Sequence, residues 1–255
     1  MIDEKTLLHG ITYTWFGISA VVLILLFFLT APYGRHHASK GWGPSIPAQA
    51  GWLFMELPAV LVPILCMLLS TREQNIVIWL FLGIWLFHYI HRTFIYPFRM
   101  RMNGKKMLLL IASLAFLTNV SINYANFRWL TELGPLYPKS WLTNPRFLCG
   151  AAVFFVGFAI NFHSDELLRK LRKPEETGYK IPKGGLYRWV SCPNYFGEIL
   201  EWTGWFIATS SLPALAFLVW TISNLLPRAI SHHRWYKETF DDYPSERKAL
   251  IPYIL

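Results

Sequence analysis

Apolar runs of bilayer-spanning length alternate with short polar and basic segments along the chain. A run of roughly 17–25 apolar residues crosses a bilayer as a helix. Seven runs fit, at about 11–30, 51–70, 76–98, 107–127, 147–162, 195–210 and 212–229. The second is interrupted by Glu56, Pro58 and Pro63. The sixth is short and polar, so six spans plus one core helix is the alternative count. Pro213 marks a tight turn between the last two runs. There is no strand pattern, internal repeat, low-complexity tract or Gly/Ser linker. The pattern predicts an all-α polytopic integral membrane protein, with residues 1–255 forming one domain.

Charge adds an orientation. The chain carries 24 Lys and Arg against 15 Asp and Glu, a net +9. One set of inter-span segments holds Arg35 and Lys40, then Arg99, Arg101, Lys105 and Lys106. The same set holds seven basic residues between spans five and six, and Arg228, Arg234, Lys237, Arg247 and Lys248 at the end. The opposite set holds only Lys5, Arg72, Arg128, Lys139 and Arg146. Basic residues stay on the cytosolic side, so the N-terminus is expected outside and the C-terminus in the cytosol. This placement between apolar spans argues against a nucleic-acid partner. The opening Asp3, Glu4 and Lys5 precede an apolar run without a small-residue cleavage site, so no cleaved signal peptide is expected. Cys66, Cys149 and Cys192 lack metal or disulfide spacing.

The candidate chemistry lies in polar residues that apolar spans normally exclude. The stretch 161–202, NFHSDELLRKLRKPEETGYKIPKGGLYRWVSCPNYFGEILEW, is the densest. Helical neighbours lie three or four residues apart. Tyr89, Arg92 and Tyr96 therefore share a face. So do Asn161, Asp165, Arg169 and Arg172; Asn194, Glu198, Glu201 and Trp202; and Arg228, His232 and Tyr236. At about 1.5 Å per residue, Glu56 lies roughly 8 Å, Tyr89 roughly 14 Å and Arg92 roughly 9 Å from the cytosolic ends of their spans. Asn119, Asn123 and Tyr124 run deeper. Four polar faces on one side suit an anionic ligand with amide, hydroxyl and phosphate groups, and Arg recognises phosphate bidentately. The alternative for any single stripe is a solvated helix end or an interhelical hydrogen bond.

The histidines His88, His91, His232 and His233 lack a carboxylate pattern, so no metal is expected. No GxGxxG after a strand, P-loop, GxSxG or HExxH occurs. A reductive reading fits the pieces. Burial raises a carboxyl pKa, so Glu56 is either protonated or shares a proton with Tyr89, and Tyr89 donates a hydrogen bond to the carbonyl of a conjugated enone. A hydride then enters at the β-carbon.

The segments ELPAVLVP, FHYIHRTFIYP, INFHSDELLRKLRKP, GYKIPKGGLYRWVSCPNYFGEILEW, SLPALAF and RAISHHRWYKETFDDYPSERKALIPYIL resemble the steroid 5α-reductase (3-oxo-5α-steroid 4-dehydrogenase) family. The resemblance runs from about Tyr33 to the C-terminus. It implies a seven-helix membrane enzyme that binds NADPH on its cytosolic side. Such an enzyme reduces the Δ4 bond of 3-oxo-Δ4-steroids such as testosterone and progesterone, with hydride to C5 and a proton to C4.

By matching motif positions, the resemblance implies that Glu56 and Tyr89 hold the 3-oxo group. It assigns the cofactor to Tyr33, Arg35, Arg92, Tyr96, Asn161, Asp165, Arg172, Tyr179, Asn194, Glu198, Arg228, His232 and Tyr236. Trp202 lies near the nicotinamide or the steroid. Most cofactor motifs fall within about 107–255. The 114–142 region departs most from the family pattern and is expected to tune substrate preference.

The resemblance also implies a steroid entering from lipid, contact with membrane lipids and no obligate protein partner. The membrane is either a bacterial inner membrane or the endoplasmic reticulum. Related scaffolds reduce sterols, enoyl-CoA thioesters and polyprenols, or methylate isoprenylcysteine with S-adenosylmethionine. These are the enzymatic alternatives, and a catalytically silent scaffold is the third.

Overall fold

The computed structural model describes residues 3–29, 43–99, 104–172, 176 and 178–255. Two expected cofactor residues, Tyr33 and Arg35, lie outside the described residues. The described chain is predominantly helical. Helix α1 covers Glu4–Phe28. It begins well before residue 11 because Asp3 caps it. The Thr6 backbone N–H donates to one Asp3 carboxylate oxygen at 2.9 Å, and the Thr6 hydroxyl donates to the other at 2.7 Å. These bonds hold the Asp3 carboxyl below its ordinary pKa.

Strand β1 (Ser45–Pro47) leads into α2, Ala48–Leu68, which contains Pro58 and Pro63. Helix α3, Ile76–Ile90, is capped by Asn75, whose side chain accepts from the Val77 N–H at 2.9 Å. It continues through a π-helical turn at His91–Ile95 into α4, Tyr96–Arg99. Strand β2 (Lys106–Leu108) precedes α5, Leu109–Arg128, which ends in a second π-helical turn, Trp129–Leu133. Then come α6 (Pro145–Lys170), α7 (Pro193–Thr209) and α8 (Leu212–Thr239).

Among the described residues, six helical segments are long and apolar enough to cross a membrane. They are Glu4–Phe28, Ala48–Leu68, Ile76–Arg99, Leu109–Leu133, Pro145–Lys170 and Leu212–Thr239. The predicted sixth run is α7, at 17 residues the short one. Pro193 sits in its first turn, and Ser210 ends it in the left-handed region at φ 47°.

Two boundaries were underestimated from hydropathy. The runs at 147–162 and 212–229 continue as helix to Lys170 and Thr239. Hydropathy marks the apolar stretch, whereas backbone hydrogen bonds carry the helix on through charged residues. The expected absence of strands is also corrected. Ser45, Ile46 and Pro47 pair antiparallel with Leu108, Met107 and Lys106. Three residues are too few to show a period-two pattern.

The chain packs as two compact units. The first contains Met1–Trp15, Pro32–Asn144 and Ser211–Ala216, and the second contains Phe16–Ala31, Pro145–Ser210 and Phe217–Leu255. In the first, α2 packs against α5 and α3. Trp85 donates its indole N–H to the Ala59 carbonyl at 3.0 Å and meets Phe127 edge-on at 5.3 Å. Glu4 accepts from Tyr124 at 2.7 Å and from the Arg128 guanidinium at 2.7 and 2.6 Å.

In the second unit, α6 and α7 cross backbone to backbone. A Cβ on Gly157 would lie 2.6 Å from the Gly197 carbonyl oxygen, and one on Gly150 would lie 2.7 Å from that of Gly204. The pairings run in opposite directions, so the helices are antiparallel. Small residues permit this approach, which is how helices associate where lipid removes the hydrophobic drive. The C-terminal segment docks beside the start of α7. The Ser191 N–H donates to the Lys248 carbonyl at 2.9 Å, and the Cys192 N–H donates to that of Ala249 at 3.1 Å.

Candidate functional site

Each unit holds its own set of candidate residues. In the first, Glu56 lies on α2 and Tyr89 near the end of α3. Tyr89 is buried, with its ring 5.0 Å from Trp85 and 4.8 Å from His88. Asn119 on α5 links to Glu56. Its amide donates to the Met55 carbonyl at 2.7 Å and to Glu56 at 3.5 Å. A residue that looked too deep by position thus belongs with the candidate acid.

Arg92 sits in the π-helical turn, and Tyr96 follows directly after it. Such turns insert an extra residue and re-aim the following side chains, often at functional sites. The Arg92 guanidinium lies over two rings, 4.5 Å from Tyr96 and 4.7 Å from Trp52. Trp52 also donates to the Arg92 carbonyl at 3.1 Å. Sequence reasoning missed Trp52, although it precedes Glu56 by one helical turn and so shares its face.

The second unit gathers the larger group. The close α6–α7 crossing brings two predicted stripes together. The Asn161 amide donates to the Asn194 carbonyl at 3.0 Å and to Glu198 at 3.5 Å. The Asn194 amide donates to Asp165 at 3.1 Å. The fourth stripe joins through Tyr195, whose hydroxyl lies 3.3 Å from His232 Nε2. Arg169 leaves its expected stripe and pairs with Glu166 at 2.8 Å. Arg172 donates to the Gly178 carbonyl and lies 5.4 Å from the Tyr179 ring. Tyr179 meets Trp235 edge-on at 5.0 Å. Tyr236 stacks on Tyr243 at 5.3 Å, and Arg228 is half-buried on the same helix. Trp202 is fully buried between Phe217 at 4.6 Å and Phe154 at 5.9 Å.

Tyr187 was also missed. It is buried, and its hydroxyl has no hydrogen-bond partner among the described residues. Burial drives its pKa well above the ordinary phenol value, and the Asp165 charge pushes it further in the same direction. Tyr236 and Tyr195 act on it too. A buried donor normally finds a partner, so this hydroxyl marks where a polar ligand group would be accepted beside the Asn161–Asp165–Asn194 cluster. In sequence Tyr187 sits in a loop with no helical periodicity to flag it.

A family model described as 3-oxo-5-alpha-steroid 4-dehydrogenase matches residues 105–255. Over its whole length the chain is 41% identical to 3-oxo-5-alpha-steroid 4-dehydrogenase 1 of Bos taurus, covering 99% of that protein. It is 40% identical to the steroid 5-alpha-reductase DET2 of Gossypium hirsutum, with both chains fully covered. Against the Homo sapiens 3-oxo-5-alpha-steroid 4-dehydrogenase 1 the identity is 38%, covering 99% of this chain and 97% of the other.

Proposed function

The chain belongs to the 3-oxo-5-alpha-steroid 4-dehydrogenase family, as a multi-pass membrane oxidoreductase of steroid 5α-reduction, and from that premise we propose its cofactor, substrate class and acting residues. The cofactor is NADPH and the substrates are 3-oxo-Δ4-steroids of the testosterone and progesterone type. NADPH, when bound, supplies the hydride that adds at C5.

The second unit's residues fit a dinucleotide. Asn161 and Asn194 offer amides, Arg172 and Arg228 suit phosphates, and Tyr179, His232 and Tyr236 supply rings and polar tips. Asp165 and Glu198 fix the amides through the bonds described above. By family resemblance Arg92, Tyr96, Tyr33 and Arg35 are also assigned to the cofactor, and Trp202 to the nicotinamide or the steroid. The observation that carries this reading is the buried Tyr187 hydroxyl, a donor with no partner among the described residues and near enough to Asp165 to feel its charge.

In the first unit, Glu56 and Tyr89 hold the 3-oxo oxygen. As C5 gains hydride, the Δ4 bond opens and its electron pair moves through C4 onto that oxygen. The Tyr89 hydroxyl donates a hydrogen bond to the developing negative charge. Glu56 orients the phenol, and Asn119 orients Glu56. A proton from water then adds at C4. Further, the N-terminus lies outside and the C-terminus in the cytosol. The cofactor is taken from the cytosol and the steroid from lipid, without an obligate protein partner.

The test is product analysis of the purified protein with progesterone and NADPH carrying deuterium at its transferable position. The expected product is the 5α-dihydro steroid with deuterium at C5. A 5β product, deuterium at C4, or turnover only with an enoyl-CoA thioester overturns the reading.

A further inference from the structure

The second unit has a basic cleft outside the cofactor cluster. It measures about 680 Å³ and is lined by His163, Lys183, Arg188, Trp189, Glu246 and Arg247, among others. Three fixed cations face one carboxylate there. Among the described residues, Lys183, Arg188 and Arg247 are absent from every ion pair. Arg247 is only 5% exposed, and its Nε and Nη1 have no hydrogen-bond partner among the described residues. Its guanidinium carbon lies 5.2 Å from the centre of the Tyr243 ring. A buried guanidinium with two nitrogens unpartnered among the described residues is costly unless an anion meets it.

An apolar cleft of about 340 Å³ adjoins the basic one and shares His163 and Leu186 with it. Val156, Ala159, Ile160 and His163 recur at three and four residues, so they form one face of α6. This face runs over eight residues, about 10 Å of a helix long and apolar enough to span a membrane. It differs from the cofactor face. His163 is two positions from both Asn161 and Asp165, about 200° around the helix. The loop is seated at the join by Gly185, whose φ is +49°. A Cβ there would lie 2.7 Å from the His163 ring.

We infer that this composite cleft binds an anionic glycerophospholipid. Its phosphate sits among Lys183, Arg188 and Arg247, and one acyl chain lies along the Val156–His163 face of α6. Charge complementarity selects the headgroup, since basic pockets at helix ends take anionic lipid heads. The adjoining apolar face distinguishes a lipid from a free phosphate. Trp189, 36% exposed on the same cleft, suits the bilayer interface.

Native mass spectrometry of the detergent-purified full chain tests this. The titrants are dioleoyl phosphatidylglycerol, dioleoyl phosphatidylcholine, sn-glycerol 3-phosphate and inorganic phosphate. Phosphatidylglycerol is expected to bind about tenfold tighter than phosphatidylcholine. The exposed pair Lys183→Glu/Arg188→Glu should abolish that preference at an unchanged melting temperature. Ala159→Trp should weaken both lipids by filling the acyl face. The surface pair keeps the test valid even if Arg247→Gln fails to fold. Equal binding of the two lipids, or an unchanged preference in the surface pair, overturns the proposal. So does binding of glycerol phosphate or inorganic phosphate as tight as that of phosphatidylglycerol, which would make this a free-anion site.

Discussion

Gly157 and Gly197 meet so closely that a Cβ on Gly197 would lie 2.5 Å from the Asn161 backbone nitrogen and 2.7 Å from the Gly157 carbonyl oxygen. This contact sets the distance over which the Asn161 amide reaches the Asn194 carbonyl. The α6–α7 crossing is therefore both a packing device and the ruler of the Asn161–Asp165–Asn194 cluster proposed to hold the cofactor.

Gly197→Ala should lower stability by about 1–3 kcal/mol, because backbone atoms cannot yield to the new methyl. It should also raise the KM for NADPH by parting Asn161 from Asn194. Gly83→Ala is the control. Nothing lies within 4 Å of its added Cβ, so helix propensity should raise stability by about 0.5–1 kcal/mol. Thermal melts in detergent and cofactor titrations read both. Equal melting temperatures in the two variants would contradict the crossing as described.

Tyr89→Phe and Glu56→Gln should each reduce kcat by about 100-fold, the usual cost of losing one donor to a developing oxyanion. The KM for NADPH should stay unchanged, since neither residue belongs to the second unit's cluster. Near-wild-type turnover in both variants would remove them from the chemistry.

Tyr187→Phe separates a ligand-facing hydroxyl from a structural one. The hydroxyl has no partner among the described residues, so the cofactor-free protein should melt at the same temperature or slightly higher. NADPH affinity should fall about fivefold to tenfold, the worth of one hydrogen bond. A destabilised variant with unchanged cofactor affinity would assign the hydroxyl to the fold instead.

Tyr243 gives the fold an alkaline limit. Burial raises its phenol above the ordinary value of 10.0, outweighing Ser191 and Arg247, which act the other way. The Ser191 hydroxyl lies 2.6 Å from the Tyr243 oxygen. Below the unfolded pKa the protonated phenol's contribution is fully present. Above it the unfolded chain gives up the proton first, so stability declines as pH rises toward the folded value. Melting temperatures from pH 8 to 11 should fall more steeply in the wild type than in Tyr243→Phe. Parallel curves would exclude this phenol as the cause.

Much of this protein was legible in one dimension because lipid imposes one-dimensional rules. Apolar length marked the helices, and polar residues three or four apart marked the Asn161/Asp165 and Asn194/Glu198 faces. Helix ends were less legible. Asp3 starts α1 before the apolar run begins, and α6 and α8 outlast theirs through charged turns. Trp52 and Tyr187 escaped notice because an aromatic residue in an aromatic-rich chain carries no signal until its neighbours are known.

The sequence by itself determined the all-helical membrane class and the family, and it placed the candidate polar residues at helical spacing. Hydropathy, local spacing and motif identity are all properties of neighbouring positions along the chain. Only the tertiary structure decided that Asn119 serves Glu56, that Trp52 and Tyr96 flank Arg92, and that Asn161 meets Asn194 across a glycine crossing. The same holds for the pairing of Ser45–Pro47 with Lys106–Leu108 and for the Nε of Arg247, which has no partner among the described residues. Each depends on which surfaces approach within a few ångströms, and that distance is set by packing between segments far apart in the chain.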